Sequence, residues 1–145
     1  ELTHVFLQAG VGGLAAAFAA FIREKLGYAV KIIIVEPSMA NCLQASIENG
    51  QPTQIKGPVS QMGRLDCKYP SVQAFYSLSK TANAFVTISE HEAEVGSKIL
   101  SDSGLSVSRS SSAGYVALRL LAKRVEFSLD KKSNVLCVFS EGLIQ

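Results

Sequence analysis

Read for its apolar and polar positions, the chain breaks into short segments of two kinds. His4-Val5-Phe6-Leu7 reads as a strand and stops at Gly10, Gly12 and Gly13. Residues 14–26, LAAAFAAFIREKL, then follow a helical pattern that is apolar on nearly every side. Such a helix needs cover from a sheet and from neighbouring elements, and Gly27 is its expected stop. VKIIIV is a continuous β-branched run of the kind that fills central parallel strands. Ser38, after Glu36-Pro37, predicts an N-cap for a helix ending near Gly50.

Residues 51–70, QPTQIKGPVSQMGRLDCKYP, show neither period. So long a connection in a compact domain is usually functional or mobile. Helices are predicted over 71–82 and 89–103, the second opened by Ser89 and Glu92 in the S-x-x-E spacing of a capping box. Between them AFVTIS is strand-like. SVSRSSSAG reads as a polar loop before a helical YVALRLLAKRV, and NVLCVF closes as a strand followed by Ser140-Glu141-Gly142. Strands alternating with helices predict an α/β fold of three layers, a mainly parallel sheet with helices on both faces.

Composition narrows the class. With 145 residues, 48% of them apolar, the chain is sized for one domain with a real core. The net charge of +2 is spread over scattered lysines and arginines, which argues against a nucleic-acid surface. No apolar run is long enough for a membrane helix, and no secretory signal opens the chain. A cytoplasmic protein is expected, with Cys42, Cys67 and Cys137 as buried thiols. The chain begins at Glu1, almost directly on a strand, and ends at Gln145 just past another. It reads as a piece of a longer protein.

The glycine turn is where chemistry is expected. The first amides of a helix lack intrahelical partners and carry the positive end of its dipole. Glycines let an anion approach them closely, and each charge-assisted bond contributes roughly 1.5–3 kcal/mol. A tight βα turn in which the glycines merely permit packing would give the same letters. So would a dinucleotide fingerprint, since Gly10-Val11-Gly12-Gly13-Leu14-Ala15 fits G-x-G-x-x-A and Glu36 ends the next strand. Anchoring the strand-end turn is the plainer role for Glu36, as anchoring the loop is for Asp66.

A third reading comes from resemblance. THVFLQAGVGGLAAA, IIIVEPSMANCLQASIENG, MGRLDCKYPS, AFVTISEHEA and VLCVFSEG occur in the order expected of one family. Together they resemble the later half of the large domain of pyridoxal-phosphate enzymes with the tryptophan-synthase β-chain-like fold, diaminopropionate ammonia-lyase and its relatives above all. The resemblance implies that Gly10, Val11, Gly12, Gly13 and Leu14 cradle the cofactor's 5′-phosphate. It implies that Ser140 hydrogen-bonds the pyridine nitrogen, whose neutral partner leaves it largely unprotonated. Arg64, in GRLDC, stands where a bidentate contact to a substrate carboxylate is open to it; a solvated loop charge is the plainer alternative. Arg109 occupies an acidic position of the family's GESGAAG stretch, which puts any chemistry needing that carboxylate in doubt.

The implied activity is elimination of ammonia from a small amino acid, with 2,3-diaminopropionate first and serine, threonine or a hydroxyaspartate next. The family's Schiff-base lysine lies upstream of the glycine loop, and no lysine here sits in its motif. The isolated chain is therefore expected to be inactive, its missing N-terminal segment to supply that lysine, and the full-length enzyme to be a homodimer. A non-catalytic cofactor- or partner-binding domain is the rival reading.

Overall fold

A computed structural model describes residues 1–142; residues 143–145, the end of the expected 1–145 domain, lie outside the described part. In chain order the elements are β1 (His4–Gln8), α1 (Gly13–Leu26), β2 (Lys31–Pro37), α2 (Cys42–Asn49), α3 (Val72–Thr81), β3 (Ala84–Ile88), α4 (Glu90–Asp102), α5 (Arg109–Leu121) and β4 (Val135–Cys137). The four strands form one sheet in the order β3-β2-β1-β4. Every neighbouring pair is parallel, with Phe6 level with Ile33 on one side and Cys137 on the other.

The two central strands explain why no polar alternation marks them. On one face Val5, Leu7, Ile32 and Ile34 pack against Ala15, Ala19 and Ile22 of α1 and Phe75 and Leu78 of α3. On the other, Phe6, Ile33 and Val35 meet Ala93 of α4 and Ala113, Val116 and Ala117 of α5. Successive strand side chains point to opposite faces, so covering both faces demands apolar residues throughout. Each fully buried large side chain contributes about 1.5–3 kcal/mol.

Two element boundaries differ from the sequence reading. The helix expected to be capped by Ser38 starts at Cys42, with Asn41 at its N-cap. The backbone first makes a turn, Ala40 N donating to Pro37 O at 2.9 Å, while Ser38 N donates to Ile88 O at 2.8 Å at the end of β3. The SRSSSAG segment is not a loop but the opening of α5, capped by Ser108, whose hydroxyl accepts from Ser111 N. Ser110, Ser111 and Ser112 are buried. Small residues are needed here because α5 crosses β1 closely: a Cβ on Gly114 would lie 2.9 Å from Phe6 O. Serines chosen for size look like loop in a polarity pattern.

Elsewhere the expectations for the elements hold. Gly27 and Gly50 terminate α1 and α2, and the Ser89–Glu92 capping box forms reciprocally. The final strand is shorter than NVLCVF suggests. Of the thiols only Cys42 is buried; Cys67 and Cys137 are half-buried, and all three are free. Among the described residues, no helix is long and apolar enough to cross a membrane.

Candidate functional site

The turn between β1 and α1 sits at the C-terminal end of the sheet, where ligands of open parallel sheets bind. Gly12 is the N-cap of α1, with φ of 98°, a left-handed conformation that costs a side-chained residue about 1–2 kcal/mol. Gly10 is required for a different reason: a Cβ there would lie 2.9 Å from Arg64 O and 3.0 Å from Cys67 Sγ. Ala16 is the first residue of α1 to bond back into the turn, N–H to Gly12 O at 2.8 Å. The amides of Gly13, Leu14 and Ala15 precede it, and no side chain caps them. Open space lies where a Gly13 side chain would be.

A cavity of about 230 Å³ opens in front of these amides. All seven residues singled out in the sequence line it: Gly10, Val11, Gly12, Gly13, Leu14, Arg64 and Ser140. Chain segments more than fifty residues apart meet there. Larger hollows lie elsewhere among the described residues: about 320 Å³ between α4 and α5, about 430 Å³ beside β3, about 310 Å³ between α1 and α3, and about 350 Å³ between the end of α5 and residues 129–135. The first two suit an anion less well, because α4, whose Glu92 lines both, is already capped by Ser89 and carries Glu90 and Glu92 in its first turn.

The 51–70 connection is pinned rather than loose. Lys68 Nζ donates to Met39 O, Pro58 O and Asp66 Oδ1 at 2.7, 2.8 and 2.7 Å. That ion pair, with its hydrogen bond, holds the Asp66 carboxyl below the usual carboxylate range. Ser60 Oγ and Gln61 N donate to the two oxygens of Glu90, and Arg64 N donates to Ser110 Oγ at 3.2 Å. This places Arg64, Leu65 and Cys67 on the cavity wall. The Arg64 guanidinium is mostly exposed and its Nε donates to Glu141 Oε2 at 3.1 Å. Glu141 is held in turn by Ser108 Oγ, which donates to Oε1 at 2.6 Å, and Glu141 N donates to Ser111 Oγ. The segment carrying Ser140 is thus stitched to α5 and to the loop.

Several residues take roles the sequence left open. Glu36 is fully buried and accepts from Leu43 N and Gln44 N at 2.8 Å each, capping α2. Burial pushes its carboxyl up to about 7, against the downward pull of those two amides. Both oxygens being engaged inside the protein, Glu36 is not free to meet a ribose, which counts against the dinucleotide fingerprint. His4 is buried, with Nε2 at 2.7 Å from Phe127 O and Nδ1 at 2.8 Å from Thr3 Oγ1. His91 lies at the start of α4, outside the cavity. Arg109 pairs with Glu94 at 3.0 Å and bonds Gln61; it does not line the cavity either.

Gln8, Ala9, Ala15, Leu65 and Cys67 complete the cavity wall, and the sequence marked none of them as a site residue. For Gln8 a signal existed, an amide side chain ending an apolar strand.

The donor set fits the phosphate end of pyridoxal phosphate: a row of free helix-start amides beside open space, one arginine, and a hydroxyl across the cavity. The cavity is smaller than the roughly 300–1,000 Å³ usual for a whole ligand, so it suits one end of such a molecule. Among the described residues no lysine lines it.

Comparison with known proteins agrees with this geometry. The family described as pyridoxal-phosphate dependent enzyme matches residues 1–141. Diaminopropionate ammonia-lyase of Salmonella typhimurium is 28% identical over 157 residues, covering 97% of this chain and 39% of that enzyme. Among solved structures, diaminopropionate ammonia lyase from Escherichia coli in complex with D-serine superposes with a TM-score of 0.86 at 24% identity, covering 98% of this chain and 38% of that one. The processed form of threonine deaminase isoform 2 from Solanum lycopersicum gives 0.88 at 19% identity, covering 99% and 39%. The two superpositions establish a shared fold. The chain spans 39% of the length of the curated ammonia-lyase it matches.

Proposed function

This chain belongs to the pyridoxal-phosphate dependent enzyme family, and from that premise we propose that it forms the cofactor-holding part of an ammonia-lyase acting on a small amino acid. The observation that carries the reading is the convergence of the glycine turn, Arg64 and Ser140 on one cavity. When bound, pyridoxal phosphate supplies the electron sink that makes the substrate's α-hydrogen acidic and lets a β-substituent depart.

The chain's own residues bind and orient. Amides of Gly13, Leu14 and Ala15 hold the phosphate at the positive end of α1. Gly10 and Gly12 shape the turn so that those amides face the ligand, and Val11 carries the backbone between them. Ser140 meets the ring nitrogen with a hydroxyl, not a carboxylate, so no negative charge there favours a protonated ring. Arg64 is placed to receive the substrate carboxylate by exchanging its contact with Glu141.

2,3-Diaminopropionate, whose β-amino group leaves as ammonia, is the first substrate candidate, supported by the likeness to diaminopropionate ammonia-lyase; serine, threonine and hydroxyaspartate follow. The Schiff-base lysine is supplied by polypeptide outside this chain, in a parent enzyme that we take to be a cytoplasmic homodimer on the strength of the family resemblance. The absence of a lysine from the described cavity wall favours one alternative, a domain that binds cofactor without catalysis. The coding sequence upstream of Glu1 separates the two. The lyase reading expects a lysine there that borohydride links irreversibly to the cofactor in the encoded protein. If no such lysine exists, the lyase reading is lost and the binding domain remains.

A further inference from the structure

We propose that Gln8 is a positioning residue that sets the direction of the Ser140 hydroxyl, turning it into a hydrogen-bond donor toward the cavity. The inference rests on the proposed assignment of Ser140 to the cofactor's ring nitrogen and adds the group that governs it.

Gln8 is the last residue of β1 and is only 4% exposed. Its Nε2 donates to Val138 O at 2.9 Å and to Ser140 Oγ at 3.2 Å. The first contact fixes which way the amide faces. A carbonyl oxygen can only accept, so the nitrogen must be the atom beside Val138 O. The second amide hydrogen is then directed at Ser140, whose oxygen accepts it. With one lone pair taken from inside the protein, the hydroxyl's own proton must go elsewhere. Ser140 is exposed and lines the cavity, so that is where it presents its O–H.

A ring nitrogen meeting this donor does so as a lone pair, in its neutral form. Ser140 keeps a second lone pair, so Gln8 shifts the balance toward donation without forbidding acceptance. Without Gln8 both lone pairs are free, and the balance moves toward accepting from a protonated ring. The other end of Gln8 argues that the residue is more than packing. Its Oε1 is buried with no hydrogen-bond donor among the described residues, a cost that leucine or methionine at the end of an apolar strand would avoid.

The test uses pyridoxamine 5′-phosphate labelled with 15N in the ring, which carries the phosphate and ring without an aldehyde to react with surface lysines. Its 15N chemical shift, read on the wild-type chain and on Gln8→Met and Gln8→Glu, reports ring protonation directly. The wild-type chain is expected to hold the ring neutral at a pH where the free ligand is largely protonated. Gln8→Met, which keeps the packing volume, should raise the protonated-to-neutral ratio by roughly tenfold. Gln8→Glu should raise it further, because a carboxylate accepts from Ser140 and turns its oxygen toward the ring. Equal shifts on all three proteins, each shown folded by its melting curve, would overturn the role of Gln8 and leave the phosphate site standing. A pH titration of the wild-type complex needs no variant, and a ring as protonated as the free ligand's would overturn the inference too. Failure of the wild-type chain to bind the labelled ligand at the glycine turn would instead remove the reading beneath it.

Discussion

Glu141 accepts from the Arg64 guanidinium at 3.1 Å, tying the segment after β4 to the loop before α3. The Arg64 side chain is 70% exposed, so the pair contributes no more than about 1 kcal/mol to stability. Its place at the mouth of the cavity gives it another use. In the parent lyase proposed above, Arg64→Met should leave the melting temperature nearly unchanged. It should also raise KM for the amino acid about ten- to a hundredfold, the loss expected of one charged hydrogen-bonded contact. An unchanged KM would reduce Arg64 to a loop charge.

The glycines of the turn should separate in their effects. Gly12→Ala places a Cβ 2.9 Å from Ala74 Cβ and 3.0 Å from Leu43 Cδ1, on a backbone with φ of 98°. Left-handed strain and overpacking together predict a loss of about 2–4 kcal/mol. Gly13→Ala meets nothing within 4 Å and should unfold at or slightly above the wild-type midpoint in urea, helix propensity favouring alanine. Equal destabilisation by both would mean the turn is built differently.

Glu36 gives the chain a pH signature. Its carboxyl is raised from an ordinary 4.5 to about 7 because burial disfavours the charge. A raised folded value means the associated stability is fully present below the unfolded value. It is lost as pH rises through the folded one, here between about 4.5 and 7. The loss amounts to roughly 3 kcal/mol. Glu36→Gln cannot ionise, though one of its two amide contacts becomes donor against donor, so it should be less stable near pH 5. Urea midpoints of the two proteins should converge as pH rises across this window. Parallel profiles would show that Glu36 does not titrate there.

The thiols should be slow to react. Burial pushes Cys42 up to about 12, Cys137 up to about 11 and Cys67 upward as well. Since the thiolate is the reactive form, alkylation at pH 8 should be slow at all three in the folded chain. Only Cys67 lines the cavity, so pyridoxamine 5′-phosphate should slow its labelling, read by peptide mass spectrometry, and leave the other two unchanged. Labelling of Cys67 indifferent to the ligand would place the ligand elsewhere.

What could be read without coordinates follows from what sequence patterns encode. Continuous apolar runs announced β1 and β2 because both faces are covered. The strand–glycine–helix junction announced the anion site because its chemistry is local. Ser140 and Arg64 were reached through an ordered set of resembling segments, not through any property of their own neighbourhoods. The α5 start was misread because Ser110, Ser111 and Ser112 are buried for their small size, which a polarity pattern cannot express. Gln8 escaped notice because its partners, Val138 and Ser140, lie 130 residues or more along the chain. The strand-end position of Glu36 suited either a ribose ligand or an anchor for the turn, and the fold decides for the anchor, with both oxygens taken by α2.

The central claim, that free amides at the start of α1 grip a phosphate, is tested most directly by amide NMR of the 15N-labelled chain. Titration with pyridoxamine 5′-phosphate should move the Gly13, Leu14 and Ala15 signals more than any others, and unphosphorylated pyridoxamine at equal concentration should leave them in place. Signals at the turn that stay still, or move equally with both ligands, would contradict the account.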